Sequence, residues 1–284
     1  MRNGIPLYKL KKNGRAVSPA ISTVILTSAV VVLLLVTITF ANSFLTARMA
    51  ENEFSAMKQF METVGLQIDD VAWTIGRTQT ISYASKFGQV SFEREVLVYK
   101  VYVDKPGEGY VYFANYKVGV LLFNMPISKY SLGNNYYEPV FPSDRSFIKN
   151  GTSAPVSHVY VIEKLPMGDG SFIRVVVVPS IRMLKSTISM GVEQKNYFKF
   201  YLPVLSNGTH PRRSQSITLF ASTLSVKTES CNAVKINVTF PKAYLEFDND
   251  FFRFENEEEI VDVPDGSIVE FYTGEVVVSL GLHA

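Results

Sequence analysis

The sequence predicts an α+β fold, a long N-terminal helix that is membrane-spanning and then amphipathic, followed by an all-β antiparallel sandwich-like domain. Three observations predict it. Residues 16–47 carry no charged side chain. Apolar residues then recur in steps of three and four as far as Ile75, the spacing that keeps one face of a helix apolar. Beyond residue 88, runs rich in β-branched and aromatic residues alternate with turn signals, the pattern of short strands. The 284 residues are 47% hydrophobic and 19% charged, apolar enough for an ordered core and too charged for a chain that crosses a membrane many times.

Residues 1–16 form a basic leader. Arg2, Lys9, Lys11, Lys12 and Arg15 all lie there, and removing them leaves 23 basic against 26 acidic residues. The remainder is mildly acidic, so nucleic-acid binding has no electrostatic basis. The dense apolar part, residues 20–41, is about 33 Å long as a helix and can span a bilayer. Basic residues stand immediately before it, whereas Arg48 on the far side is accompanied by Glu51 and Glu53. The positive-inside rule therefore puts the N-terminus in the cytoplasm and the C-terminal domain outside. A secretory signal would have a shorter apolar region with a small-residue cleavage site after it. Here "TFANSFLTARMA" runs straight on into the helical pattern, so cleavage there would cut a helix in two. The polar punctuation, "NGRAVSP", precedes the run, and Pro19 suits a first helical turn because the N–H it lacks has no intrahelical partner there.

The stretch "GRAVSPAISTVIL" resembles the N-terminus of archaeal type IV pilins. Precursors in that family carry a short basic leader, a cut by a prepilin peptidase on the cytoplasmic side, then Ser-Pro and a long hydrophobic helix. The resemblance runs through Arg15, Ala16, Val17, Ser18 and Pro19, then Ile21 and the aliphatic run from Val24 to Val36. It implies cleavage between Ala16 and Val17, with Arg15, Ser18 and Pro19 as recognition residues. Ala20 departs from a family pattern that often has a second aliphatic residue after the proline. The resemblance does not reach the large C-terminal domain. It implies a surface filament, built from copies of this chain or with other pilin-like subunits, and a prepilin peptidase as processing partner. An uncleaved single-pass anchor carrying an extracellular binding module is the alternative reading of the same residues.

The helix is expected over residues 17–76. Phe54, Met57, Phe60, Met61, Val64, Ile68, Val71 and Ile75 form its apolar stripe, while Glu51, Glu53, Lys58, Glu62, Asp69 and Asp70 lie mostly off it, so the second half is amphipathic. Gly65 marks an expected bend or weak point. Trp73 reads as a core residue.

Residues 88–284 read as the β domain. "FEREVLVYKVYVD", "GYVYFANYKVGVLLFN", "SHVYVIEKLP", "SFIRVVVVPS", "NYFKFYLPVL", "SITLFASTLSVKT", "AVKINVTFP" and "IVEFYTGEVVVSLGL" read as strands, and no helical pattern between them is long enough for βαβ units. "LPMGDGSF" suits a hairpin, with Gly168, Asp169 and Gly170 supplying positive-φ positions. "VLSNGTHPRRSQS" is either a joint between two sub-domains, near 204–216, or a long loop.

Chemistry-bearing motifs are sparse, and neither an enzyme nor a cofactor is expected. Cys231 is alone and reads as a buried residue. His158, His210 and His283 each lack a partner at metal-ligand spacing, so no metal is expected. No phosphate-binding glycine loop, nucleophile elbow or zinc-protease motif occurs. The acidic run "DNDFFRFENEEE" lacks the glycine turn of a calcium loop and reads as a solvated acidic edge, with Phe251, Phe252 and Phe254 turned inward. Three N-glycosylation acceptor sequons begin at Asn150, Asn207 and Asn237. Asn150 and Asn207 lie in polar loops that can accommodate an oligosaccharide, and Asn237 lies in an expected strand. Tyr136 and Tyr137, in the expected loop "SLGNNYYEPVFPSD", read either as packing or as an aromatic recognition surface.

Overall fold

A computed structural model describes residues 19–190, 193–210, 215–264 and 266–281. It has the α+β architecture expected. Helix α1 spans Pro19–Ala72, unbroken through Gly65. Residues up to Arg48 and residues from Met49 onward form two separate compact units.

The second unit contains thirteen described strands: β1 (Thr78–Ser82), β2 (Gln89–Lys105), β3 (Gly109–Pro126), β4 (Tyr136–Phe141), β5 (Ile148–Asn150), β6 (Ser157–Glu163), β7 (Phe172–Pro179), β8 (Ile181–Met190), β9 (Glu193–Asn207), β10 (Ser216–Ser230), β11 (Ala233–Thr239), β12 (Glu258–Asp262) and β13 (Ile268–Leu280). A short helix α2, Asn249–Phe252, precedes β12, and Asp248 caps it by accepting from the Phe251 N–H. The strands form a six-stranded sheet in the order β1-β10-β13-β9-β8-β5 and a seven-stranded sheet in the order β12-β11-β2-β3-β7-β6-β4. Pairing is antiparallel except for two pairs, β9 with β13 and β5 with β8. The chain between β9 and β13 visits β11 and β12 in the other sheet, and that long excursion is what a parallel neighbour requires.

The middle of the seven-stranded sheet is buried on both faces. Val159, Val161, Val175 and Val177 belong to one core, and Tyr160, Ile162, Val176 and Val178 to another. That explains why "SHVYVIE" and "FIRVVVVP" read as continuous apolar runs rather than alternations. The first core contains Phe54, Met57, Met61, Val64, Ile68 and Val71 of α1, together with Ile217, Leu219, Val276 and Val278 of the six-stranded sheet. The second joins Phe200, Phe271 and Leu202 of the six-stranded sheet to Phe247, Phe251, Phe252 and Phe254. The last three phenylalanines are thus turned inward. Each buried side chain of the α1 stripe contributes roughly 1.5–3 kcal/mol.

Several sequence expectations are corrected. Gly65 lies within the continuous helix. It permits a close approach, since a Cβ there would stand 2.8 Å from Val159 Cγ2, and its carbonyl accepts a 2.8 Å hydrogen bond from the Ser157 hydroxyl. Ile75 lies beyond the helix end and is exposed, because the chain turns at Thr74–Arg77 through their own backbone hydrogen bond. Of the three residues expected at positive φ in the 165–172 connection only Gly170 adopts it. Gly168 instead makes room for Leu245, and Asp169 forms a bidentate pair with the buried Arg174 at 2.6 and 2.8 Å. Tyr136 and Tyr137 open strand β4 rather than sitting in a loop. The 204–216 stretch begins inside β9 and ends where β10 starts, and both strands flank β13 in one sheet.

Candidate functional site

Among the described residues, the longest run of exposed large apolar side chains lies in the first part of α1. The large apolar side chains from Ile21 to Met49 are between 48% (Val30) and 72% (Phe40) exposed. By length and composition the helix can cross a bilayer once. Four of its threonine hydroxyls are closed on the helix itself: those of Thr27, Thr37, Thr39 and Thr46 donate to the carbonyls of Thr23, Leu33, Leu35 and Asn42 at 2.7–2.9 Å. Self-bonding of this kind removes the cost of unpaired hydroxyls in an apolar surrounding. Of the expected processing residues, Pro19 is the first residue of α1, while Arg15, Ala16, Val17 and Ser18 lie outside the described residues, as does His283.

From Met49 onward, two carboxylates tie the helix to the β body. Glu53 Oε1 accepts from the Ser85 hydroxyl at 2.6 Å and from the Phe87 and Gly88 N–H groups at 2.9 and 3.1 Å, while its Oε2 accepts from the Lys86 N–H at 2.9 Å. Burial alone would raise this carboxyl, but the Ser85 bond and the three backbone bonds outweigh it and hold the group below its ordinary range. Near the other end, Asp69 accepts from the Trp73 indole at 2.6 Å and from both terminal nitrogens of Arg182 at 2.8 and 3.1 Å. Arg182 lies over the Tyr201 ring, Trp73 meets the same ring edge-on, and Tyr201 stacks on Tyr272 with centroids 4.7 Å apart. Where the helix ends, Gly274 lets β13 come so close that a Cβ would overlap the Ala72 carbonyl.

A third polar cluster was not legible in the sequence, because its members come from four separate segments. Buried Lys149 donates to the Asp144 carboxylate at 2.8 Å and to its main-chain carbonyl at 2.6 Å. His158, 2% exposed, has its Nε2 3.3 Å from the Tyr137 hydroxyl, and Ser146 donates to Glu259 at 2.7 Å. Burial pushes the His158 imidazole down to about 4, helped by the nearby Lys149, and pushes the Glu259 carboxyl up. The residues lie on or beside β4, β5, β6 and β12, and so pin the edges of both sheets together. Tyr137 also packs against Tyr160, which makes it part of the body and not a free aromatic face. Among the described residues no group of three or more His, Cys, Asp or Glu side chains is placed to hold a metal ion. Cys231 is buried, and burial pushes its thiol up to about 11.

Asn150 ends the edge strand β5 and is exposed; Asn207 ends β9 and is also exposed; Asn237 lies inside β11, part-buried. Compared with protein-family models, curated proteins and solved structures, the chain matches none.

Proposed function

We propose that the chain is a structural or adhesive subunit of an archaeal type IV pilus-like surface filament, made as a precursor with a cytoplasmic leader and cut between Ala16 and Val17 by a prepilin peptidase. Its work is polymerisation, not catalysis. One observation carries this reading: a single unbroken helix has a first part whose apolar side chains are unburied by its own chain and a second part whose apolar stripe is consumed by a β body. Apolar surface that a chain leaves open at this scale marks an interaction site. A bilayer covers it first. In a filament, the same side chains on neighbouring subunits cover one another outside lipid, where apolar burial regains a hydrophobic driving force. The β body then faces outside, consistent with the basic residues ahead of the span. The "GRAVSP" junction supports processing.

The test is the mature N-terminus together with electron microscopy of surface fibres. A Val17 start and fibres containing this chain are expected. An intact leader on a chain held in the membrane would overturn the filament reading in favour of an anchored binding module. Arg15→Glu is expected to leave full-length precursor in the membrane and abolish fibres.

A further inference from the structure

We propose that Asn150 is the acceptor of an N-linked glycan, and that the glycan covers an open sheet edge beside it. The inference rests on the reading that the β body lies outside the membrane. For transfer, the Asn amide nitrogen has to reach an anomeric carbon, and the tripeptide has to leave the body far enough to enter a transferase. The three sequons differ in whether the folded chain permits this.

Asn237 is held in β11 between β2 and β12, facing Lys100 on one side and Glu258 on the other, with its Oδ1 shut away from solvent. Asn207 is exposed but tied at both ends of its amide: Nδ2 donates to the Gly208 carbonyl at 3.2 Å, and Oδ1 lies 2.9 Å from His210 Nε2. The His210 ring is in turn stacked on Phe92. The backbone after Asn207 is woven into β13: the Gly208 N–H donates to the Val278 carbonyl at 2.9 Å, the Thr209 N–H to the Ser279 hydroxyl at 3.1 Å, and the Thr209 carbonyl accepts from Leu280 at 2.8 Å. Freeing that tripeptide breaks five hydrogen-bonding contacts at once.

Among the described residues, Asn150 has none of these ties on its amide. It closes a three-residue edge strand, and Gly151 follows at φ +120°, turning the chain away from the sheet. The Gly151 N–H on the Met183 carbonyl at 3.1 Å is the last ladder bond. Asn150, Gly151 and Thr152 line an open depression of about 480 Å³ with Met183, Leu184 and Lys185.

That depression borders a gap in the sheet. Strand β5 pairs with β8 only over Ile181–Met183, so among the described residues the outer edge of β8 from Leu184 onward has no strand neighbour. The edges of the other sheet are blunted from within, by Pro139 and a register shift in β4 and by Glu258, Glu259 and Asp262 in β12. A glycan on Asn150 does the same for β8 by bulk and hydration.

In the transfer, a bond forms between Asn150 Nδ2 and the anomeric carbon of a lipid-phosphate-linked oligosaccharide. The bond from that carbon to the phosphate oxygen breaks, the lipid phosphate departs with the electron pair, and Nδ2 gives up one proton.

The experiment is peptide mass spectrometry of the full-length chain purified from the cells that make it, alongside protease treatment of intact cells. A sugar-containing mass increment is expected on the peptide bearing Asn150, with the Asn207 and Asn237 peptides unmodified. Asn150→Gln and Thr152→Val should each remove the increment, and Thr152→Ser should keep it. An unmodified Asn150 in a β body that external protease does cleave would overturn the proposal and leave the filament reading standing, as would modification at Asn207 or Asn237 instead. A β body that protease cannot reach from outside overturns both.

Discussion

The two parts of α1 share one backbone and obey opposite rules. From Ile21 to Leu45 apolar side chains predominate and none of the large ones is buried; from Ala50 most apolar residues occupy one stripe, and most of that stripe is buried. Helix-forming tendency does not distinguish the parts, since both are regular helix. What distinguishes them is where the covering material comes from. The second part is complemented by strands of its own chain and by two carboxylate anchors, so its stability is an internal property. The first part has four threonine hydroxyls bonded to its own backbone and its hydrocarbon uncovered, so its stability belongs to whatever surrounds it.

Charge placed in the middle of the first part is expected to separate the two most sharply. Val32→Asp with Leu35→Asp should cost roughly 5–7 kcal/mol of insertion at ~2.5–3.5 kcal/mol per residue. Membrane flotation should then find the chain outside the bilayer fraction, while near-ultraviolet circular dichroism of the β body stays unchanged; loss of the β signal would break the separation. The converse change is Ile68→Ala, at a fully buried stripe position. It should cost about 2–5 kcal/mol by denaturant unfolding and leave membrane association intact.

Acid should act on the body alone. His158 is neutral when folded, down to about 4, whereas the unfolded imidazole takes a proton near 6.5. The unfolded state therefore binds more protons between those values, and stability should fall as the pH drops from about 6.5 toward 4. Thermal unfolding of His158→Phe should show a weaker pH dependence in that window. Asp69→Ala strips the partly buried Arg182 of its partner and should cost about 1–3 kcal/mol, read by the same melting experiment. The smallest effect is expected at Glu53. Its folded carboxyl is depressed, so its contribution is present above the ordinary glutamate value of about 4.3 and lost as the pH falls through the lower folded value. Glu53→Gln should lower the neutral plateau of a stability-against-pH curve slightly and flatten its acid limb.

The legible parts of this fold were those that local pattern determines. The stripe from Phe54 to Val71 and the runs of β2, β3, β6, β7 and β13 carry their burial in their own side chains. Strands β1, β4, β5, β8 and β12 do not: they are short, polar on one face or punctuated by Pro139, and they exist because a neighbour supplies a ladder. The parallel pairing of β9 with β13 is a decision about register made across many residues, with no local trace. The anchors were hidden for a related reason. Glu53 looked like one more charge off the apolar stripe because three of its donors are backbone N–H groups of Lys86, Phe87 and Gly88, which no side chain announces. His158 was visible as a histidine, but Lys149, Asp144 and Glu259 reach its surroundings only through tertiary convergence. At Gly65 the sequence did not reveal that the missing side chain makes room for Val159.

Strand β13 completes the six-stranded sheet. It occupies the interior of its sheet, between β10 and β9, yet it comes last among the described strands and is the one against which the end of α1 closes at Gly274. The six-stranded sheet has no middle until residues 268–280 have been synthesised and released. A chain growing at roughly 5–20 residues per second therefore carries α1 and the earlier strands unfinished for most of its synthesis, long after the apolar helix is ready to engage a membrane. On the proposed reading, insertion precedes closure of the six-stranded sheet, by order of manufacture.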